Sequence, residues 1–410
     1  HMSANGYMIP NVIFTKGFFM ENVVIVSAQR TAVGSFQGQL SSLPAPVLGS
    51  KVIKAALEKA NLTTNDIDEV IMGEVLTAGV GQAPARQAAL FAGISNSTPC
   101  LTINKVCGSG LKAVMLAADS IQLGNAKIAI AGGQENMSLA PHLLENSRNG
   151  YRMGSVQMID SMVKDGLWDP YNNFHMGNAA ELCSREFKFT REAQDEFAIN
   201  SFKKAQASIA AGLFKNEITP IVIEGKKGSV SVDTDEGPGK AMFEKMPGLK
   251  PAFEKDGTIT AANASSINDG AAAMVLMSES EAQKRGIKPL VKIIASATFA
   301  QGPKYFTTAP AGAIKKALDK AKLTIADIDA FEINEAFANV TMAAQKALDI
   351  PMEKINIRGG SIAIGHPIGG SGARIFTTLI HILTSTNAKR GLATLCIGGG
   401  EAVAVIIEKV

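Results

Sequence analysis

Two patterns of apolar and polar positions alternate along this chain, and together they predict strands that alternate with helices. Continuous apolar runs such as "KIAIAGG" (127–133) and "LATLCIGGG" (392–400) are typical of strands that are covered on both faces of a sheet. The stretch 108–124 follows a two-glycine turn and has a helical pattern instead. We therefore predict an α/β fold.

The same unit occurs twice in the chain. Residues 56–75, "ALEKANLTTNDIDEVIMGEV", and 317–336, "ALDKAKLTIADIDAFEINEA", both predict a helix, a Thr/Asp cap region and a buried strand. A "GSG" sequence and a later "NAK" sequence recur in both halves with the same internal spacing. The repeat predicts a duplicated domain.

The segment between the repeats has a different composition. It contains the single tryptophan and the Gly/Pro/Asp-rich stretch "VDTDEGPGKAMFEKMPG", and we interpret it as a loop-rich insertion with a binding role. We predict a tag or extension at 1–19 and a first domain that combines 20–137 with 266–289. The loop domain would span 138–265, and the second domain 290–410.

Composition narrows the functional classes. The 410 residues carry a net charge of +3 without a basic block, which argues against a nucleic-acid partner. No run of eighteen apolar residues predicts a membrane span. Four cysteines without C-x-x-C spacing predict free thiols in a reducing compartment, so we expect a cytoplasmic protein. The glycine-rich turns do not fit the nucleotide-binding motifs, and singly placed Cys and His residues disfavour a metal site.

Several reactive side chains follow predicted strands or lie in glycine-rich corners. Cys107 precedes a predicted helix, whose first turn favours a thiolate, although a buried structural cysteine is the alternative. His366, between Gly365 and Pro367, could serve as its base. Cys396 precedes three glycines, and Asn334 in "NEAFA" supplies an amide. This arrangement favours nucleophilic catalysis at Cys107.

Four blocks of the sequence resemble the signature blocks of thiolases. These are "NKVCGSGLKAV", "NEAFA", "GGSIAIGHPIGGSGARI" and "CIGGGEA", and the resemblance runs from about Met20 to Val410. It implies a thiolase fold: two βαβαβαββ halves form a five-layer αβαβα body, and the inserted loop domain binds coenzyme A.

The resemblance also implies catalytic roles by motif position. Cys107 would accept the acyl group, with His366 as the activating base. Cys396 would be the acid and base at the substrate α-carbon. Asn334, through a water, would share one oxyanion hole with His366, and the backbone N–H groups of Cys107 and Gly398 would form the other.

The short "HMG" sequence at 175–177 resembles the short-chain, acetoacetyl-CoA class of the family. His175 would be a catalytic residue of that class, and it is typically absent from long-chain degradative members. Met176 would restrict room for the acyl chain, although packing within a loop is the alternative interpretation.

Further positions match those that bind coenzyme A in similar proteins. Leu167, Phe253 and Ser265 would contact its pantetheine and adenine ends, and Lys240 would replace a basic phosphate contact. The region around Phe306 resembles that of potassium-responsive members. An upstream tyrosine that accompanies this region is absent here, so potassium dependence stays open.

The resemblance implies reversible condensation of two acetyl-CoA molecules to acetoacetyl-CoA and coenzyme A, through an acetylated cysteine. A broad-chain degradative 3-ketoacyl-CoA thiolase is the alternative within the family. A ketoacyl synthase-like enzyme and a non-catalytic acyl-CoA-binding protein are further alternatives, and neither needs a second catalytic cysteine. We expect no metal, no cofactor besides the coenzyme A substrates, no membrane partner, and a homotetramer built from dimers.

Overall fold

The β-strands carry most of the central framework. A computed structural model describes residues 20–410, so the predicted extension at 1–19 lies outside the described residues. In that described part the strands are β1 Val23–Arg30, β2 Gly34–Ser35, β3 Glu69–Gly73, β4 Cys100–Ile103, β5 Ile128–Asn136, β6 His142–Leu143, β7 Ile159–Asp160, β8 Trp168–Asp169, β9 Phe174–His175, β10 Ile221–Gly225, β11 Gly228–Val232, β12 Asn268–Ser278, β13 Val291–Ala300, β14 Ala330–Ile333, β15 Arg390–Ile397 and β16 Glu401–Lys409.

The α-helices cover both faces of this framework and fill its centre. They are α1 Ala45–Lys59, α2 Pro84–Phe91, α3 Ser109–Gln122, α4 Met176–Phe187, α5 Arg191–Ala210, α6 Glu279–Arg285, α7 Ala309–Ala321, α8 Ala338–Leu348, α9 Ser361–Ile364 and α10 Ser371–Ser385. Among the described residues, no helix has the length and apolar character needed to cross a membrane.

Nine strands form one path of neighbours in the order β14-β15-β16-β13-β1-β12-β5-β3-β4. Strand β3 runs parallel to β4 and β5, and β14 runs parallel to β15. The two halves of the path meet between β1 and β13, where only Val24 with Lys292 and Ile25 with Val291 are paired. The path therefore consists of two sheets joined by a short contact.

The buried apolar side chains divide into layers around these two sheets. One cluster packs α1 and α2 against the outer face of the first sheet, and another packs α7 and α8 against the outer face of the second. A third cluster joins the inner faces of both sheets to α3 and α10. The order of layers is therefore αβαβα, which confirms the predicted five-layer thiolase fold.

The two central helices approach each other at paired glycines. A Cβ atom added at Gly110 would lie 2.6 Å from the Ala373 backbone nitrogen, and one added at Gly372 would lie 2.4 Å from the Leu111 nitrogen. These glycines belong to the two "GSG" sequences of the repeat. Their lack of a side chain sets how closely α3 and α10 pack.

The second half departs from the predicted βαβαβαββ order at one strand. Where the first half has β4, the second half has an isolated bridge between Phe331 and Ile355. Asn356 has a φ of 46°, which is outside the range of strand residues. Its side-chain oxygen accepts the Ile333 backbone N–H, and its side-chain nitrogen donates to the Ile333 carbonyl oxygen. A side chain thus replaces the strand hydrogen bonds at this position.

The insertion is less loop-rich than the sequence analysis predicted, because it contains the 12-residue α4 and the 20-residue α5. A buried ion cluster attaches it to the first sheet. The Arg30 guanidinium, at the end of β1, contacts Glu217 at 2.7 Å and Asp235 at 2.8 Å. These partners compensate for burial of the arginine charge.

Candidate active site

A cavity of about 300 Å³ lies where the insertion faces the ends of the sheet strands. Nine of the twelve predicted site residues line it: Cys107, Leu167, His175, Met176, Phe253, Ser265, Phe306, His366 and Gly398. They come from both halves of the repeat and from the insertion. The fold therefore collects residues that are up to 291 positions apart around one space.

Cys107 lies in the turn between β4 and α3, after Val106, which has a φ of 46°. Burial raises the pKa of the Cys107 thiol to about 11, which opposes the thiolate that the helix start favours. The backbone N–H groups of Gly398 and Cys107 face the sulfur and oppose this rise without cancelling it. Cys107 therefore needs a base to remove its proton.

His366 is positioned by a turn that only glycine accommodates. Gly365 has a φ of 120°, and a Cβ there would lie 2.5 Å from the Asn268 side chain. That side chain accepts the His366 backbone N–H at 2.8 Å, and the His366 ring nitrogen Nδ1 lies 2.5 Å from the Ser371 hydroxyl. Burial, together with the positive charge of Arg374, lowers the pKa of His366 to about 4. The imidazole is therefore neutral at physiological pH and can accept a proton.

Cys396 lies at the end of β15, behind the cavity wall. It is buried in one apolar cluster with Met176, Phe306 and Phe337. Burial, and then the nearby Cys107, raise the pKa of the Cys396 thiol well above its ordinary value. The apolar setting therefore favours the protonated thiol.

Asn334 follows β14 and is also buried outside the cavity lining. Its side-chain oxygen accepts a hydrogen bond from the Ser361 hydroxyl. Its side-chain nitrogen has no partner among the described residues, although it is buried. A buried N–H without an acceptor is unfavourable, so this group is available to a water molecule or a substrate oxygen.

His175 begins α4 and is held in a fixed position. Its Nδ1 atom accepts the Gly177 backbone N–H at 3.0 Å, and its ring stacks on Phe253 with centroids 4.6 Å apart. Burial lowers the pKa of the His175 imidazole. The neutral ring lies at the cavity wall beside Met176.

The sequence analysis missed Phe337 and Met137, which line the same cavity. Phe337 forms edge contacts with Phe253 and Phe306, with centroids 6.1 and 6.4 Å apart. Its position inside the "NEAFA" block was the available signal. Met137 follows β5 and belongs to no recognisable sequence motif. Only the fold brings it to the cavity.

Lys240 is not brought to the cavity. Its exposed ammonium pairs with Glu236 at 3.3 Å, four residues earlier in the chain. Among residues 20–410, no group of three or more His, Cys, Asp or Glu side chains could hold a metal ion. The chemistry of the cavity is that of thiols, imidazoles, an amide and backbone N–H groups.

Comparison with known proteins places the whole described chain in one family. The family model for the thiolase N-terminal domain matches residues 23–280, and that for the thiolase C-terminal domain matches residues 287–409. An acetyl-CoA acetyltransferase of Cupriavidus necator is 54% identical over 392 residues, covering 95% of this chain and 100% of that protein. Acetyl-CoA acetyltransferase 2 of Arabidopsis thaliana is 52% identical over 390 residues, covering 94% and 97%.

Solved structures agree with these matches. The acetyl-CoA acetyltransferase of Bacillus anthracis superposes with a TM-score of 0.93 at 40% identity, covering 95% of this chain and 99% of that one. A thiolase from Ascaris suum in complex with coenzyme A superposes with a TM-score of 0.91 at 42% identity, covering 95% and 100%. The chain belongs to the thiolase family.

Proposed function

We propose that this protein is an acetyl-CoA acetyltransferase, which condenses two acetyl-CoA molecules to acetoacetyl-CoA and coenzyme A and also catalyses the reverse reaction. The observation that carries the proposal is the arrangement of Cys107 and His366 at one cavity, with Cys396 and Asn334 buried beside it. Similar proteins that carry this name are 50–54% identical to the chain.

In the first half-reaction, the neutral imidazole of His366 accepts the Cys107 thiol proton as the sulfur attacks the acetyl-CoA carbonyl carbon. The N–H groups of Cys107 and Gly398 face this sulfur and can donate to the carbonyl oxygen as it becomes negative. The carbon–sulfur bond to coenzyme A then breaks, and the departing thiolate takes the proton from His366. Acetylated Cys107 and free coenzyme A result.

In the second half-reaction, ionised Cys396 removes a proton from the methyl carbon of a second acetyl-CoA. The proton that Cys396 gives up is held by His366, which the first half-reaction leaves neutral. The buried side-chain N–H of Asn334, through a water, and His366 stabilise the enolate oxygen. The enolate carbon attacks the acetyl group, the bond from the acetyl carbonyl carbon to the Cys107 sulfur breaks, and His366 returns the held proton to the freed Cys107 thiolate.

The cavity wall supports selection of a short acyl group. Met176, Phe306 and Phe337 belong to one buried cluster at the cavity, and edge contacts hold the two rings in place. An added methylene in such a pocket changes binding by about 1–3 kcal/mol, so a long chain would require the wall to move. Leu167, Phe253 and Ser265 line the cavity and would contact the pantetheine arm of coenzyme A.

We further propose a cytoplasmic homotetramer that needs no added cofactor besides its coenzyme A substrates. Cys107 and Cys396 must stay reduced to act, which a reducing compartment ensures. The edge strand β4 exposes Leu101, and the stretch 139–158 exposes a second apolar group: Leu139, Leu144, Tyr151, Met153, Val156 and Met158. Burial of these exposed apolar side chains would favour contacts between copies of the chain.

Thiolysis of 3-ketoacyl-CoA substrates of increasing chain length tests the function. We expect acetoacetyl-CoA to be cleaved with a far higher kcat/KM than 3-ketohexadecanoyl-CoA, because the Met176 wall closes the acyl end of the cavity. A flat or rising profile would support the broad-chain degradative activity instead. Absence of cleavage at every length would reject both activities.

A further inference from the structure

We propose that Ser371 is a positioning residue that fixes which ring nitrogen of His366 carries the proton. The inference rests on the proposed function, in which His366 is the base. The His366 Nδ1 atom and the Ser371 hydroxyl oxygen are buried and 2.5 Å apart. Either group could donate in this bond, and the direction decides whether Nε2 keeps a free lone pair.

A second acceptor favours one direction. The Ser371 hydroxyl also lies 3.0 Å from the backbone carbonyl oxygen of Pro367. A carbonyl oxygen only accepts, and a hydroxyl has one proton, so donation to Pro367 leaves the Ser371 hydroxyl as an acceptor towards His366. The proton of the neutral ring is therefore on Nδ1.

The other ring nitrogen is then free to act on the nucleophile. The Nε2 atom of His366 has no hydrogen-bond partner among the described residues, and His366 lines the cavity together with Cys107. Burial and the charge of Arg374 lower the pKa of His366 to about 4, so the ring carries a single proton near neutral pH. With that proton on Nδ1, Nε2 presents its lone pair as a base.

The internal repeat supplies an independent comparison. Ser109 occupies the position of Ser371 in the first "GSG" sequence. Its hydroxyl donates to the Val106 carbonyl at 2.7 Å and accepts the Lys105 backbone N–H at 2.8 Å. In this assignment each serine hydroxyl donates to a carbonyl of the preceding turn and accepts one N–H. For Ser109 the N–H belongs to the backbone, and for Ser371 it belongs to the His366 imidazole.

The test is the ¹⁵N spectrum of the full chain with labelled histidine, measured beside acetyl transfer kinetics. The chain has five histidines, and the signal lost in His366→Ala identifies the catalytic ring. The wild-type signal should show the proton on Nδ1. In Ser371→Ala the two tautomers should mix, and kcat should fall by about 10-fold or more while KM changes by less than about twofold.

Two further variants separate tautomer control from simple packing. Ser371→Thr retains the hydroxyl and should keep the Nδ1-protonated signal. Ser50→Ala removes a buried helix hydroxyl that donates to the Val47 carbonyl at 2.7 Å, and should leave both the spectrum and kcat unchanged.

Three outcomes would overturn the inference: a wild-type proton on Nε2, a Ser371→Ala protein with unchanged spectrum and kcat, or a reduced kcat with an unchanged tautomer. The wild-type spectrum decides even if Ser371→Ala does not fold. A wild-type proton on Nδ1 in a protein that forms no acetoacetyl-CoA would reject the proposed function and still support the role of Ser371.

Discussion

At the scale of single residues, Cys107 and Cys396 present the same thiol in two different surroundings. Cys107 lines the cavity, and the N–H groups of Gly398 and of its own backbone face its sulfur. Cys396 is buried in an apolar cluster behind the wall. Donors beside the sulfur favour a nucleophile that forms an oxyanion intermediate, whereas an apolar cluster favours a group that exchanges protons.

Replacement of each cysteine should therefore give a different defect. Cys396→Ala should still take up acetyl from labelled acetyl-CoA, because that step uses Cys107 and His366. Condensation should fall by at least about 10²–10⁴-fold, since a general base typically contributes that much. Acetyl-enzyme formation and acetoacetyl-CoA production are measured on the same preparation.

Cys107→Ala provides the comparison and should abolish both steps. The proposed division of roles would be wrong if a folded Cys396→Ala protein failed to become acetylated. It would also be wrong if that variant condensed acetyl-CoA at close to the wild-type rate.

The corners that carry the candidate catalytic residues could be predicted from the sequence, but the burial of these residues could not. Cys107 and His366 lie in glycine-rich corners, and Cys396 ends a strand before three glycines, which are local patterns. The raised pKa of Cys107 arises from burial in a cavity whose walls come from distant segments, including those of Leu167 and Ile368. A prediction based only on the position of Cys107 before a helix cannot include burial by segments that are distant in sequence.

At the scale of elements, the close approach of α3 and α10 fixes the distance between the two sheets. Cys107 precedes α3, and His366 lies in the turn before α10, so the packing of these helices also sets how Cys107 faces His366. The contact depends on backbone atoms at Gly110 and Gly372, which cannot move independently of their helices.

Gly372→Ala should consequently destabilise the fold. The new Cβ would lie 2.4 Å from the Leu111 backbone nitrogen, and overpacking of this kind costs about 1–3 kcal/mol. Gly239→Ala is the matched control, because no atom lies within 4 Å of its added Cβ. Denaturant unfolding should show a lower midpoint for Gly372→Ala and a wild-type midpoint for Gly239→Ala. Equal midpoints in the two variants would mean that the helices can move apart without loss of stability.

The missing strand of the second half shows where pattern-based prediction of elements ends. The repeat predicted a counterpart to β4, and the chain there does pass beside β14 at the Phe331–Ile355 bridge. Asn356, with its positive φ and its side-chain bonds to Ile333, stops the strand. Nothing in the apolar pattern of these residues distinguishes this arrangement from a short strand.

At the scale of the whole molecule, several carboxyl groups are enclosed where the two halves meet. Burial, and then the negative charge of Glu135, raise the pKa of Glu74 to about 8. Burial also raises the pKa of Glu332 to about 8. The folded protein therefore retains protons that the unfolded chain releases near pH 4.5, and the free energy of unfolding falls as pH rises through this window.

Glu74→Gln should make this pH dependence shallower, because the amide does not titrate. The stabilising contribution of Glu74 is fully present below about pH 4.5 and is lost as pH rises towards 8. Denaturant midpoints measured from pH 5 to 8 report the slope. An unchanged slope in Glu74→Gln would contradict the linkage.

The short β1–β13 contact has a consequence for refolding. Cys107 belongs to the first half of the chain, whereas Asn334, His366 and Cys396 belong to the second, and only two residue pairs join the sheets directly. In a kinetic intermediate, each half could have its native secondary structure while His366 is not yet beside Cys107. During refolding, enzymatic activity should therefore recover later than the circular dichroism signal of secondary structure. The length of the delay would measure how long the two halves take to dock.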